Sequence, residues 1–205
     1  MPAEKRRCLK KEVNLDIIEA IKILGKEYSF SAVDTDKVIK ELQLPKNAQI
    51  LEVGTGMGSL SITLALNGYK VVTGEPSDDD TIYAKQNWRQ NAKKVKVDHL
   101  IEFQPFSAND IPYDDSTFDA IFCQGTLHHI AESERIKVFQ EFIRTTKSNA
   151  IICFFEPNQK SIKKIRESDA SHPDAADPNK YINDLNLISR KIEGSNFDAF
   201  VFQKN

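Results

Sequence analysis

Apolar residues recur along this chain with two periods. Over about residues 14–26, Ile17, Ile18, Ile21 and Leu24 fall at three- and four-residue steps, which predicts a helix with one apolar face and Gly25 near its end. Val38, Ile39 and Leu42 predict a second, short helix after Asp34, with Tyr28 and Phe30 in the joint between the two. Leu44-Pro45 closes it, because the residue before proline avoids helical geometry. From residue 48 the pattern becomes an alternation. Strand-like runs Ile50–Val53, Lys70–Thr73, Leu100–Phe103, Phe118–Cys123 and Ala150–Phe155 are separated by helix-like segments over 57–67, 79–95 and 132–146. Short apolar strands spaced by helices are what a parallel sheet covered on both faces requires, so the fold class is a doubly wound α/β sandwich. A further short helix is predicted over 157–168. SHPDAADPNKY reads as a loop, and Leu185–Ile192 and Phe197–Phe202 flank Glu193-Gly194-Ser195-Asn196 as an antiparallel hairpin.

With 205 residues the chain suits a single globular unit, divided here into an N-terminal helical cap, 1–46, and an α/β domain, 47–205. Composition narrows the classes further. The chain is 40% hydrophobic and 28% charged, which excludes collagen-like and wholly disordered chains. Its 28 Lys+Arg against 30 Asp+Glu provide no global field for a polyanion, so no nucleic-acid partner is expected. The basic cluster Lys5, Arg6, Arg7, Lys10, Lys11 has no interleaved aromatics and reads as a tail. Three cysteines with no C-x-x-C pair argue against zinc ribbons and thioredoxin chemistry. Cys123 and Cys153 lie in apolar runs and read as small core residues in a reducing compartment. The basic N-terminus lacks an apolar core of the secretory kind, and no apolar run is long enough to span a membrane. These features predict a soluble, cytoplasmic protein.

The strongest chemical signal is Ile50-Leu51-Glu52-Val53-Gly54-Thr55-Gly56-Met57-Gly58, a strand that runs into three alternating glycines and then a helix. Glycine lets a chain turn tightly and admits a ligand against the backbone, and the helix start behind it offers free N–H groups. Glu75, flanked by Gly74 and Pro76, ends the next strand, where a carboxylate can accept hydrogen bonds from ribose hydroxyls. A dinucleotide fold prefers G-x-G-x-x-G, which would place a third glycine where this chain has Ser59.

The loop instead resembles motif I, (D/E)-x-G-x-G-x-G, of the class I S-adenosylmethionine-dependent methyltransferases. Ser107-Ala108-Asn109-Asp110-Ile111-Pro112-Tyr113, followed by Phe118-Asp119, is similar to the D-A-x-x-L-P-F…F-D stretch of the ubiquinone- and menaquinone-biosynthesis members. Gln124–Ile130 and Glu156-Pro157 resemble their segments after the fourth strand and at the end of the fifth. The likeness covers roughly 47–157, and the closing hairpin matches the family's reversed last strand in a mostly parallel, Rossmann-like seven-stranded sheet. The resemblance implies a transferase that uses S-adenosyl-L-methionine. Glu52, Gly54, Thr55, Gly56 and Gly58 would lie at its methionine end, Glu75 and Pro76 at the ribose, Ser107 and Ala108 at adenine, and Gln124 near the methionine moiety. Ser107 stands where the family usually has an acid. Met57 lies either beside the cofactor or in the core.

Methyl transfer from a sulfonium needs the nucleophile positioned, and a general base only if the acceptor must lose a proton early. No triad is visible. His128, His129 and Tyr28 are candidate catalytic groups, with packing or capping as the alternative for the histidines; His172 is a weaker candidate that otherwise reads as a solvated loop histidine, and His99 has no evident partner. Phe30 and Tyr113 are candidates for the acceptor pocket. No His/Cys/Asp grouping has metal-ligand spacing, so no metal is expected. Lys160, Lys163, Lys164 and Arg166 form a basic face that reads either as anion recognition or as a solvated helix surface. The expectation is a methyltransferase with a small-molecule acceptor. A cofactor-binding partner or regulator without turnover is the alternative.

Overall fold

A computed structural model describes residues 15–84, 86–183 and 185–204; the basic N-terminal cluster and Cys8 lie outside them. Seven strands form one sheet: β1 (Ile50–Val53), β2 (Val71–Gly74), β3 (Ile101–Phe103), β4 (Phe118–Gln124), β5 (Thr146–Pro157), β6 (Leu187–Ile192) and β7 (Phe197–Lys204). Their order is β3-β2-β1-β4-β5-β7-β6. The first five pair in parallel, while β7 runs antiparallel between β5 and β6, as the hairpin pattern predicts.

Side-chain alternation divides the core into two layers. On β1 and β4, Leu51, Val53, Ile121 and Cys123 point toward Val138, Phe139 and Phe142 of α5 (Glu132–Thr145). Ile50, Ala120 and Phe122 point the other way, toward α2 (Lys26–Leu42) and α3 (Ser59–Leu66). Both faces are covered, so the central strands are largely apolar, with Glu52 on β1 and Asp119 and Gln124 on β4 as the polar exceptions. Helix α3 is buried along nearly its whole length, which explains its lack of a polar face.

Two helical expectations differ from the structure. Helix α1 is Ile17–Leu24, started by a reciprocal Asp16–Glu19 capping box and ended at Gly25 with φ +83°. Helix α2 begins at once and runs unbroken to Leu42, so Tyr28 and Phe30 lie inside a helix and not in a joint. Tyr28, Ser31, Ala32, Thr35, Val38 and Ile39 are buried at helical spacing, and Asp34 and Asp36 are buried beside them, so polar Ser31, Asp34, Thr35 and Asp36 break the apolar pattern. Helix α4 is only Trp88–Lys94. Upstream of it the Asp79 carboxylate accepts the Thr81 N–H at 2.9 Å, an Asx turn that competes with helix, and Ile82 and Tyr83 are exposed. The last helix, α6 (Gln159–Ile165), is capped by Asn158.

Asp34 fastens α2 to the C-terminal hairpin. It is buried, and its carboxylate accepts three backbone N–H bonds, from Ser195 at 2.9 Å, Asn196 at 2.7 Å and Phe197 at 3.0 Å. Gly194 is needed below it, because a Cβ there would come within 2.0 Å of the Phe197 carbonyl oxygen and 2.8 Å of the Asp34 carboxyl carbon. Replacing Asp34 with Ala strands three donors in a half-buried turn. The expected loss is about 3 kcal/mol, a fall in Tm of roughly 6–12 °C by calorimetry or thermal circular dichroism.

Candidate active site

At the C-terminal ends of β1, β2 and β4, where the strand order reverses, the chain encloses a cavity of about 620 Å³. The β1–α3 turn forms its floor. Gly54, Gly56 and Gly58 all take positive φ, at +91°, +47° and +82°. Gly54 and Gly56 line the cavity together with Glu52, Thr55 and Met57. Gly58 does not: it turns the chain into α3, with Trp88 packed so close that a Cβ would lie 2.9 Å from it. The Gly56 N–H donates to Glu75 Oε2 at 2.9 Å, and Thr55 Oγ1 lies 2.9 Å from Thr73 Oγ1, so the loop is tied to β2 twice.

Glu52 is 1% exposed on β1. Burial pushes its carboxyl up to about 7, opposed in part by hydrogen bonds from the Thr73 and Ser61 hydroxyls, and its Oε2 has no partner. Gln124, at the end of β4, donates from Nε2 to Ser31 Oγ of α2 at 2.9 Å, and its Oε1 is likewise buried and unpartnered. Among the described residues that line the cavity beside the glycine turn, two thus carry a buried, unsatisfied acceptor, one of them acidic. Glu75, Pro76, Ser107 and Ala108 form the neighbouring wall; Ser107 Oγ is engaged with Asn109 Oδ1 at 2.8 Å, and Ala108 is buried.

The opposite wall is imidazole. His128 and His129, in a single turn after β4, meet His172 from the loop after α6, and all three line the cavity. The His128 Nδ1–H donates to Glu156 Oε2 at 2.7 Å, the same oxygen that accepts the Ala176 N–H at 3.1 Å. The His129 ring lies 4.9 Å from that of Tyr83, whose hydroxyl donates to Asp169 at 2.5 Å. Desolvation, with His128 and His172 adding to it, pulls the His129 imidazole down to about 4; desolvation also lowers His172. His129 and His172 are thus uncharged at neutral pH.

The fold does not bring every predicted residue here. Tyr28 is fully buried behind α3 with its hydroxyl 3.0 Å from Thr63 Oγ1, so it cannot reach a substrate, and it belongs to the core. Tyr113 bonds Gln104 and packs on Phe118, away from the cavity. His99 lies in a short turn before β3, outside the lining. Phe30 does line the cavity. Arg166 is no free cation: its Nε donates to the His172 carbonyl at 2.8 Å and it pairs with Asp174, which anchors the imidazole-bearing loop. Cys123 and Cys153 are free and buried with their thiols pushed up, so neither serves as a nucleophile. Sequence reading missed Thr126, whose side chain fills the space that a Cβ at Gly54 would need, and Tyr83, which crosses from the 77–84 segment to Asp169.

Residues 51–154 match the methyltransferase domain family. The chain is 33% identical over 118 residues to the sarcosine/dimethylglycine N-methyltransferase of Halorhodospira halochloris, which covers 57% of this chain and 40% of that enzyme. It is 32% identical over 100 residues to the 27-O-demethylrifamycin SV methyltransferase of Amycolatopsis mediterranei, covering 48% and 35%. The chain thus spans well under half the length of either relative. A crystal structure of a Pyrococcus horikoshii protein superposes with a TM-score of 0.68 at 19% identity, over 90% of this chain and 94% of that one, and shows the shared fold. No described helix is long and apolar enough to cross a membrane.

The two cavity glycines differ in what surrounds them, which can be tested without ligand. A Cβ at Gly54 would lie 2.0 Å from Thr126 Oγ1, at Gly56 3.3 Å from the Tyr83 carbonyl oxygen. Gly54→Ala should lose at least about 2 kcal/mol in denaturant melts and Gly56→Ala only about 1 kcal/mol, the ordinary penalty of left-handed backbone.

Proposed function

We infer that this chain, which belongs to the class I S-adenosylmethionine-dependent methyltransferase family, transfers a methyl group from S-adenosyl-L-methionine to a small-molecule acceptor inside the cavity described above. The observation that carries this reading is the pair of buried, unsatisfied acceptors, Glu52 Oε2 and Gln124 Oε1, beside the glycine turn. A site of that kind suits a cationic ligand, since an unpaired buried acceptor costs about 1–3 kcal/mol until a donor or positive charge meets it. S-adenosylmethionine carries both an ammonium and a sulfonium. Glu52 and Gln124 would hold its methionine end with the backbone of Gly54 to Gly56. Glu75 and Pro76 would hold the ribose, and Ser107 and Ala108 the adenine. When bound, the cofactor supplies an electrophilic methyl group. Phe30 and Ser31 of α2 and the three histidines border the remaining space and would position the acceptor. Positioning can supply most of the acceleration in such a displacement.

The acceptors of the two named relatives differ from each other, so likeness alone does not choose one. A cavity of about 620 Å³ has room for a small acceptor beside the cofactor, and that volume supports this choice. The buried free cysteines are consistent with a cytoplasmic setting.

Isothermal titration tests the reading in two ways. Glu75→Ala removes the carboxylate that fixes Gly56 and should weaken S-adenosylhomocysteine binding about 10- to 100-fold (roughly 1.4–2.8 kcal/mol). Unchanged affinity would overturn the assignment of the ribose wall. The second test is pH. A cation beside Glu52 lowers its pKa below the free value of about 7, so the protein releases a proton on binding S-adenosylmethionine. Affinity should be full above about pH 8 and weaken as pH falls through 7, by up to tenfold per unit, with proton release measured in buffers of different ionisation enthalpy. Glu52→Gln should abolish that slope. Binding without turnover across a broad acceptor panel would favour the regulatory alternative.

A further inference from the structure

We infer that His128, His129 and His172 form a site for a single zinc-class divalent cation, with its open coordination position facing the cavity. Their ligand nitrogens all lie within 4.8 Å of one another. The ring centroids are 4.3 Å apart for His128 and His129, and 5.1 Å for each of these with His172.

Hydrogen bonding has already chosen which nitrogens are free. The His128 Nδ1–H is spent on Glu156, and the His172 Nδ1–H donates to the Pro173 carbonyl at 2.9 Å. Each ring is left with an Nε2 lone pair. Metal-ligating histidines are oriented in this way, by a carboxylate or a backbone carbonyl on the other ring nitrogen. An independent observation points to the same ligand: His128 Nε2 is buried without a partner among the described residues, in a side chain only 2% exposed. A neutral imidazole needs no second hydrogen bond to be oriented, yet a buried lone pair with nothing to accept is a standing cost that a cation removes.

The distances suit a modest contraction. Zinc–nitrogen bonds of about 2.0–2.1 Å in tetrahedral geometry put donors roughly 3.3 Å apart, so the widest pair must close by about 1.5 Å. That closure falls to the His172 side chain, because Arg166 anchors its loop at the main-chain carbonyl and not at the ring. Three imidazoles with no oxygen ligand select zinc, cobalt, nickel or copper over magnesium and calcium. Three protein ligands leave a fourth position open, and all three residues border the cavity. An acceptor hydroxyl or thiol entering that position would bind as its anion, its proton passing to solvent, and so meet the methyl donor as a nucleophile. That last step rests on the methyl-transfer reading; the cation site does not.

The test uses the full chain, free of any affinity tag and stripped with a chelator, titrated with Co²⁺ alone and with Zn²⁺ alone. One equivalent should bind. Co²⁺ should show the visible absorption of a four-coordinate imidazole complex, Zn²⁺ should displace it, and excess Mg²⁺ should not. His172→Ala and His129→Ala should each weaken Zn²⁺ binding by at least about 100-fold, and Glu156→Gln by about 10- to 100-fold. The two histidine variants are preferred to His128→Ala, which would leave Glu156 buried beside a hole. Failure to bind one equivalent, or unchanged Zn²⁺ affinity in both folded variants, would overturn the site. S-adenosylhomocysteine titrated in parallel separates the two claims: its binding without Zn²⁺ binding removes only the cation site, and Zn²⁺ binding without it removes only the methyl-transfer reading.

Discussion

The site depends on a carboxylic acid held where water cannot reach it. Glu52 sits on β1, shares its face of the sheet with Ile50, and borders the cavity with one buried oxygen that has no partner among the described residues. Keeping that group ionised at neutral pH opposes folding, because its pKa lies well above that of an unfolded glutamate. The contribution to stability therefore falls as pH rises from about 4.5 to 7, in the window between the unfolded and folded values. Ligand affinity moves in the opposite sense over the upper part of that window. The same residue thus weakens the empty protein and strengthens the occupied one, which is the usual relation between a preorganised site and the fold that bears it.

The glycine turn makes this burial useful. Three positive-φ positions at alternate residues let the chain double back across the strand end with no side chain at Gly54 or Gly56, where the cavity meets the backbone. Two of them serve the ligand space, and the third serves packing against Trp88. The strand–glycine–helix pattern revealed the turn, but not this division of labour, since it depends on what Thr126 and Trp88 bring from elsewhere in the chain.

Much of the fold was legible because its strands are short, apolar and evenly spaced by helices, and the hairpin because glycine separates two alternating runs. Helix α2 was read as shorter than it is, since Ser31 and Thr35 occupy buried positions where a hydrophobicity pattern expects apolar residues. The helix predicted over 79–95 was read as too long, because Asp79 turns the backbone before Trp88 can start it. That Glu52, Gly54, Gly56, Glu75, Ser107 and Gln124 would border one cavity was legible from local motifs. The imidazole wall was not: His172 is distant in sequence from its two neighbours, and only the return of the chain after α6 brings it there. Tyr28 looked catalytic for the converse reason, that an aromatic hydroxyl near a predicted joint gives no sign of the helix that will cover it.

Asp34 has a bearing on how the molecule is made. Its carboxylate waits for Ser195, Asn196 and Phe197, more than 160 residues downstream. At ribosomal speeds of about 5–20 residues per second, on the order of 10–30 s pass before those amides emerge. Until then α2, which carries Phe30 and Ser31 to the rim, has its helix but not its clasp. The nascent chain can assemble its inner strands early, while the cavity acquires its final wall only with the closing hairpin.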